Sequence, residues 1–176
     1  IAFFTTNYDT LLEDSLILEK QKICDGFTGT AMGFWNPEIS FKDPDSIPVY
    51  KLHGSVDWYN HDEDGLVRSR YGVNYLSDTE NVLIYPQATK YVETQKDPFS
   101  TLFVKFRGSL KSKAQNIFVT SGYSFGDDHI NAEIKSAITC PDNQTTLIVF
   151  IDNATPTPLD WLEDEELSKK IFIATK

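Results

Sequence analysis

The chain has 176 residues, enough to bury a real core as one domain or most of one. Twelve Phe, eight Tyr and three Trp exclude a solvated coil. A formal net charge of −10, from 16 Lys and Arg against 26 Asp and Glu, excludes the basic stripe of a nucleic-acid surface and a face for anionic membranes.

Ile1–Thr5 reads as a short buried strand running into the polar cluster Thr5-Thr6-Asn7-Tyr8-Asp9. Asp9 is the expected N-cap of a helix from Thr10 to about Glu19, with Leu11, Leu12, Leu16 and Ser15 on its apolar side. Residues 26–48 are rich in Gly and Pro but hold neither G-x-G-x-x-G nor G-K-[ST], so hairpin turns are expected there rather than a phosphate loop. Val49-Tyr50-Lys51-Leu52 is a strand that runs into His53-Gly54-Ser55. Residues 60–81 read as a surface hairpin or insertion turning at His61–Gly65, and Val82–Pro86 as a strand ended by Pro86.

The clearest helix is Pro98–Ala114, where Phe99, Leu102, Phe103, Phe106 and Leu110 form one stripe on a 3.6 period. Strand 117–120 leads to Ser121-Gly122-Tyr123-Ser124, and a helix over 128–138 turns Ile130, Ile134, Ala137 and Ile138 to one side. Leu147–Ile151 is a strand ending at Asp152-Asn153, followed by a short acidic helix over 159–167 and a last strand over 171–173. Continuously apolar strands alternating with helices predict an α/β fold, a Rossmann-like, mostly parallel sheet with helices on both faces. In such sheets ligands sit beyond the C-terminal strand ends. Four polar clusters fall at such ends: Thr6–Asp9, His53–Ser55, Gly122–Ser124 and Asp152-Asn153.

No apolar run approaches the ~20 residues of a membrane helix. The chain opens without Met, directly in a strand-like run, which reads as a fragment with its N-terminus upstream. Cys24 and Cys140 form no C-x-x-C pair, which fits a reducing cytoplasm and rules out a four-cysteine zinc site. No two histidines have metal-ligand spacing, and no metal is expected. The N-x-T sequons at Asn143 and Asn153 lack a secretory signal and are expected to carry no glycan.

His53 has two readings: a general base, for which imidazole is suited at neutral pH, or a strand-end side chain bonding a turn. His61 is expected in a solvated acidic turn, and His129 in a capping or surface role. Asn7 and Asp9 read either as a ligand-facing amide and carboxylate or as a turn with a helix cap; on these residues alone the turn is favoured. Ser55 and Ser124 lack the G-x-S-x-G of a nucleophile elbow. Gly122-Tyr123-Ser124 offers a hydroxyl and backbone N–H groups to a ribose or phosphate, or is a plain strand-to-helix turn.

Taken together the clusters resemble the sirtuin-like family, in its prokaryotic defence-associated branch. Phe4-Thr5-Thr6-Asn7-Tyr8-Asp9 is similar to the family's T-Q-N-x-D motif, with Thr6 where Gln usually stands. Lys51-Leu52-His53-Gly54-Ser55 resembles the segment with the catalytic His-Gly. Gly122-Tyr123-Ser124-Phe125 resembles the G-x-S strand end, and Phe150-Ile151-Asp152-Asn153 the later strand end that meets the adenosine side. Gly-Tyr-Ser-Phe followed by Asp128 and Ile130-Asn131 suggests the branch.

The resemblance implies a single NAD-binding domain over 1–176, truncated before its first strand and glycine-rich loop, with the hairpin at about 60–81 inserted. It implies NAD as substrate. Asn7 orients the nicotinamide ribose or an attacking water. Asp9 bonds the carboxamide, within a cofactor-facing motif that includes Thr5 and Thr6. His53 is the base. Gly122 and Ser124 hold phosphate or ribose oxygens, and Asp152 or Asn153 takes the adenosine ribose. The implied activity is an NAD glycohydrolase, the effector of an antiphage defence protein, assembling with further domains of the chain, as a homo-oligomer or with a defence partner. The alternatives are an NAD-dependent protein deacylase, disfavoured by the missing zinc cysteines, and a non-catalytic nucleotide-binding or assembly module. Tyr8, Phe125, Trp35 and Trp58 are candidate interface aromatics for that last reading.

Overall fold

The structure is a computed structural model, and it describes residues 1–70, 76–84, 96–152 and 159–175. The chain divides within one helix into two compact units, Ile1–Val104 and Lys105–Lys176.

In the N-terminal unit, β1 (Phe3–Thr5), β5 (Ile47–Lys51) and β2 (Ile23–Cys24) form a parallel sheet in the order β1-β5-β2. Phe3 pairs with Val49 and Thr5 with Lys51, so both strands end at the same edge. Helix α1 (Leu11–Leu18) corrects the expected apolar face: Leu11 and Ser15 are exposed, Leu12 and Leu16 are half-buried, and the buried residue is Glu13. Its charge partner lies on β5, information that local periodicity does not carry.

A second sheet is antiparallel, in the order β3-β4-β7-β6-β8, from β3 (Phe27–Gly29), β4 (Met32–Trp35), β6 (Gly54–His61), β7 (Gly65–Ser69) and β8 (Thr79–Leu83). The short helix α2 (Pro37–Ser40) follows β4. The expectation of a mostly parallel sheet is corrected here. The hairpin does turn at His61–Gly65. Its strands start at Gly54 and bury Trp58, Val67, Arg68 and Ser69, so the hairpin contributes to the core of this sheet. Residues 71–75 of that stretch, and Tyr85 and Pro86, lie outside the described residues. His61 is not simply solvated: its Nδ1 accepts the Asp64 N–H at 3.2 Å and orders the turn.

Phe27, Trp35 and Trp58 pack with ring centroids 5.1 to 6.1 Å apart, which places Trp58 in the core rather than at an interface. Beside them lies a buried ion cluster. The Asp25 carboxylate accepts from Arg68 and, at 3.0 Å, from Arg70, which also faces Asp57 at 3.8 Å.

Helix α3 (Phe99–Leu110) has the expected stripe: Phe99, Leu102, Phe103, Phe106 and Leu110 are all buried. Each such side chain contributes roughly 1.5–3 kcal/mol. The helix stops at Leu110, short of the expected Ala114. Asn143 supplies the reason: its buried Nδ2 donates to the Leu110 and Ala137 carbonyls, both at 2.7 Å, closing two helix ends at once.

In the C-terminal unit, β9 (Asn116–Ser121), β10 (Thr145–Ile151) and β11 (Ile171–Thr175) form a parallel sheet in the order β11-β10-β9. Helix α4 (Asp128–Thr139) packs on β10 and buries Ile130, Ile134, Ala137 and Ile138, as its period predicts. The acidic segment is a 3-10 turn, Leu159–Glu163, followed by α5 (Glu165–Ser168), which is capped by Asp164. Leu147 and Val149 are fully buried, whereas Ile117, Val119, Phe150 and Phe172 on the opposite face are about half exposed or more. Helices on both faces are therefore not what this sheet shows among the described residues. Its strands are apolar on both sides, but one side is open. No helix among the described residues is long and apolar enough to cross a membrane.

Candidate functional site

The parallel pairing of β1 with β5 sets the Thr6–Asp9 turn beside His53. The turn is fastened almost entirely to the segment that carries the histidine. The Thr5 carbonyl accepts the Leu52 N–H at 2.9 Å. The Tyr8 carbonyl accepts the Val56 N–H at 2.9 Å and the Ser55 hydroxyl at 3.2 Å. The Tyr8 hydroxyl donates to the Ile84 carbonyl at 2.6 Å, and the Ile84 N–H returns to the His53 carbonyl at 2.9 Å. These bonds hold the backbone of the turn against the His53 segment.

What the turn leaves outward is polar. Asn7 is exposed, and its backbone N–H is held by the Thr5 hydroxyl at 3.0 Å. Thr5 thus shapes the turn from within, and Thr6 is half-buried. Asp9 is not the helix cap, since Thr10 holds that position, but its carboxylate accepts the Leu11 N–H at 3.1 Å. His53 is half-buried, its ring centroid 6.4 Å from that of Tyr8. Gly54 follows with φ +87°, and a Cβ there would lie 2.3 Å from the Val82 carbonyl oxygen. Only glycine can reverse the chain after His53 while β8 passes this close.

Lys51 and Glu13 are the residues that sequence reasoning missed in this unit. Lys51, 1% exposed, donates from Nζ to the Asp9 carbonyl and pairs with Glu13 Oε1 at 3.2 Å. Glu13 is itself 2% exposed. A charged residue inside the apolar strand Val49–Leu52 was the available signal.

In the C-terminal unit the ends of β9, β10 and β11 open on a cavity of about 570 Å³, lined by Gly122, Tyr123, Ser124, Phe150 and Asp152 among others. That is ample for a nucleoside-sized group. Gly122, at φ +66° with nothing within 4 Å of a Cβ position, opens the cavity floor. The loop behind it is rigidly held. Tyr123 donates to Asn131 Oδ1 at 3.0 Å, and Asn131 Nδ2 donates to the Phe125 carbonyl at 2.6 Å. This clamp fixes Phe125 at φ +55°, with its ring buried against Tyr123 and Trp161 rather than offered to a partner. Burial, reinforced by Asp127, pushes the Tyr123 phenol well above its ordinary value, so it stays a donor.

Asp127, not His129, caps α4, accepting from the His129 and Ile130 N–H groups at 3.2 and 3.5 Å. Two N–H groups of the α4 N-terminus are thus taken by Asp127, and the loop at Gly122–Ser124 lines the cavity. Asn153 lies outside the described residues. Of the predicted residues, Asn7, Asp9 and His53 share one strand-end edge, and Gly122, Ser124 and Asp152 share one cavity.

The chain is an α/β protein with polar clusters at the ends of its parallel strands, where ligands bind in such sheets. The SIR2-like domain model matches residues 1–173, and the chain belongs to this sirtuin-like family. SIR2-like domains are NAD-dependent enzymes. No curated protein matches the chain.

Proposed function

We propose that this chain is an NAD glycohydrolase domain, cleaving NAD to nicotinamide and ADP-ribose. The observation that carries the reading is the edge where the Asn7 turn and His53 end neighbouring parallel strands. An exposed amide and an imidazole at one edge suit the positioning and deprotonation of water. With only two cysteines, the chain has no ligand set for a four-thiolate zinc module, which favours water over an acyl-lysine as the acceptor.

NAD supplies a cationic pyridinium, a good leaving group that departs with the electron pair of the broken N-glycosidic bond. Asn7 orients the ribose or the incoming water, Asp9 bonds the carboxamide, and His53 takes the proton that water loses on adding to the anomeric carbon. Thr5 and Thr6 shape the same turn. Gly122 and Ser124 hold phosphate or ribose oxygens, and Asp152 or Asn153 the adenosine ribose. A cytoplasmic role in prokaryotic antiphage defence, within a larger or oligomeric protein, is part of the same proposal.

The test is nicotinamide release from NAD by the intact protein without peptide. Asn7→Ala and His53→Ala are each expected to lower release at least about 100-fold, the usual weight of a general base. Release that survives both substitutions contradicts the assignment. Release that requires an acyl-lysine peptide makes the protein a deacylase. NAD binding without turnover makes it a binding module.

A further inference from the structure

We propose that Lys51 is a positioning residue that holds the Asn7 turn in register with His53, an inference that rests on the NAD glycohydrolase reading above. Its amine lies at the end of β5, two residues before His53, and donates to the carbonyl of Asp9, two residues after Asn7. Glu13, in the first turn of α1, holds the amine from the other side at 3.2 Å. One side chain therefore ties together the strand that carries the base, the turn that carries the amide, and the helix that the turn leads into.

Stability alone does not account for this arrangement. Both partners are almost completely buried, and among the described residues Glu13 Oε2 accepts no hydrogen bond. Replacing a buried ion pair with apolar side chains is often neutral or stabilising. What an apolar pair lacks is a donor for the Asp9 carbonyl. The other anchors of the turn act at Thr5, before Asn7, and at Tyr8, directly after it. Lys51 adds the anchor one residue beyond Tyr8, where the turn passes into α1, and so helps to keep the exposed amide of Asn7 aligned with the imidazole. A misplacement of about 1 Å in such a pair costs on the order of 100-fold in rate.

The experiment compares Lys51→Met and the double variant Lys51→Met/Glu13→Leu with the intact protein. Three quantities are read: the urea midpoint, kcat and KM for NAD, and hydrogen exchange at the amides of residues 7–10. Lys51→Met loses both stability and activity. The double variant regains the urea midpoint, yet its 7–10 amides exchange at least about tenfold faster while those of Trp58 and Val67 keep their rates. Its kcat stays about 100-fold low with KM within about threefold of the parent. Wild-type exchange and wild-type kcat in the double variant overturn the proposal and leave the pair a structural device. Faster exchange together with no nicotinamide release from the parent protein under any condition supports the positioning role and sinks the NAD reading instead. The parent protein also tests the proposal without any variant: the Lys51 amine protons exchange slowly in NMR spectra, and exchange as fast as that of a surface lysine overturns it.

Discussion

The two strand-end loops are locked by opposite chemistry. The Asn7 turn is held by a buried charge pair, Lys51 with Glu13, and by backbone bonds to the His53 segment. The Gly122–Ser124 loop is held by neutral groups, a phenol and an amide, with the rings of Phe125 and Trp161 packed behind the phenol. A charge pair out of water tolerates no single loss, because the survivor is stranded. A neutral clamp loses only its own bonds. The first kind of lock specifies a geometry at the risk of stability, and the second trades strength for tolerance.

The largest expected contrast is in thiol reactivity. Burial, reinforced by Asp25, pushes the Cys24 thiol of the N-terminal unit up to about 11, whereas Cys140 is exposed. At pH 8 the thiolate fraction of Cys24 is about 0.001, so a thiol reagent labels Cys140 at least about 100-fold faster. Raising the pH favours the thiolate, so Cys24 labelling climbs roughly tenfold per unit until about pH 11. Equal labelling at pH 8 means that the wall around Cys24 opens.

Next come the locks themselves. Glu13→Leu strands Lys51 and is expected to cost about 3–5 kcal/mol by urea denaturation. Asn131→Leu frees the Phe125 carbonyl and leaves the Tyr123 phenol the Asp127 carbonyl at 3.3 Å, and it is expected to cost about 1–3 kcal/mol. An Asn131 variant as damaging as Glu13→Leu erases the proposed difference. Asp127→Ala, which removes the cap of α4, is expected to cost about 1 kcal/mol. The smallest effect is at the partly exposed Arg107–Glu133 pair, 2.6 Å apart, where Arg107→Ala is expected to cost less than about 1 kcal/mol.

Legibility in the sequence followed the range of the interactions. Helices α3 and α4 were readable because Phe99–Leu110 and Ile130–Ile138 repeat on a local period that burial obeys. The strand-end polar clusters were readable for a similar reason, since an apolar run stops where the sheet stops. The antiparallel sheet was not, because β4 pairs with β7 across the intervening β5 and β6, joining Met32 to Ser69. A strand no longer than β3 or β4 carries little periodic signal. Glu13 was passed over because charge in a helix normally marks the solvent side, and only the tertiary partner Lys51 reverses that rule. The C-terminal sheet misled in another way: apolar residues on both faces do not establish that both are covered by the described residues.

The most direct test of the central claim is NAD cleavage by the intact protein in heavy-oxygen water, without peptide, followed by mass analysis of the ADP-ribose. One solvent-derived heavy oxygen is expected in each ADP-ribose, with nicotinamide release that His53→Ala abolishes. Release that is absent, independent of His53, or coupled only to an acyl-lysine acceptor would contradict the claim.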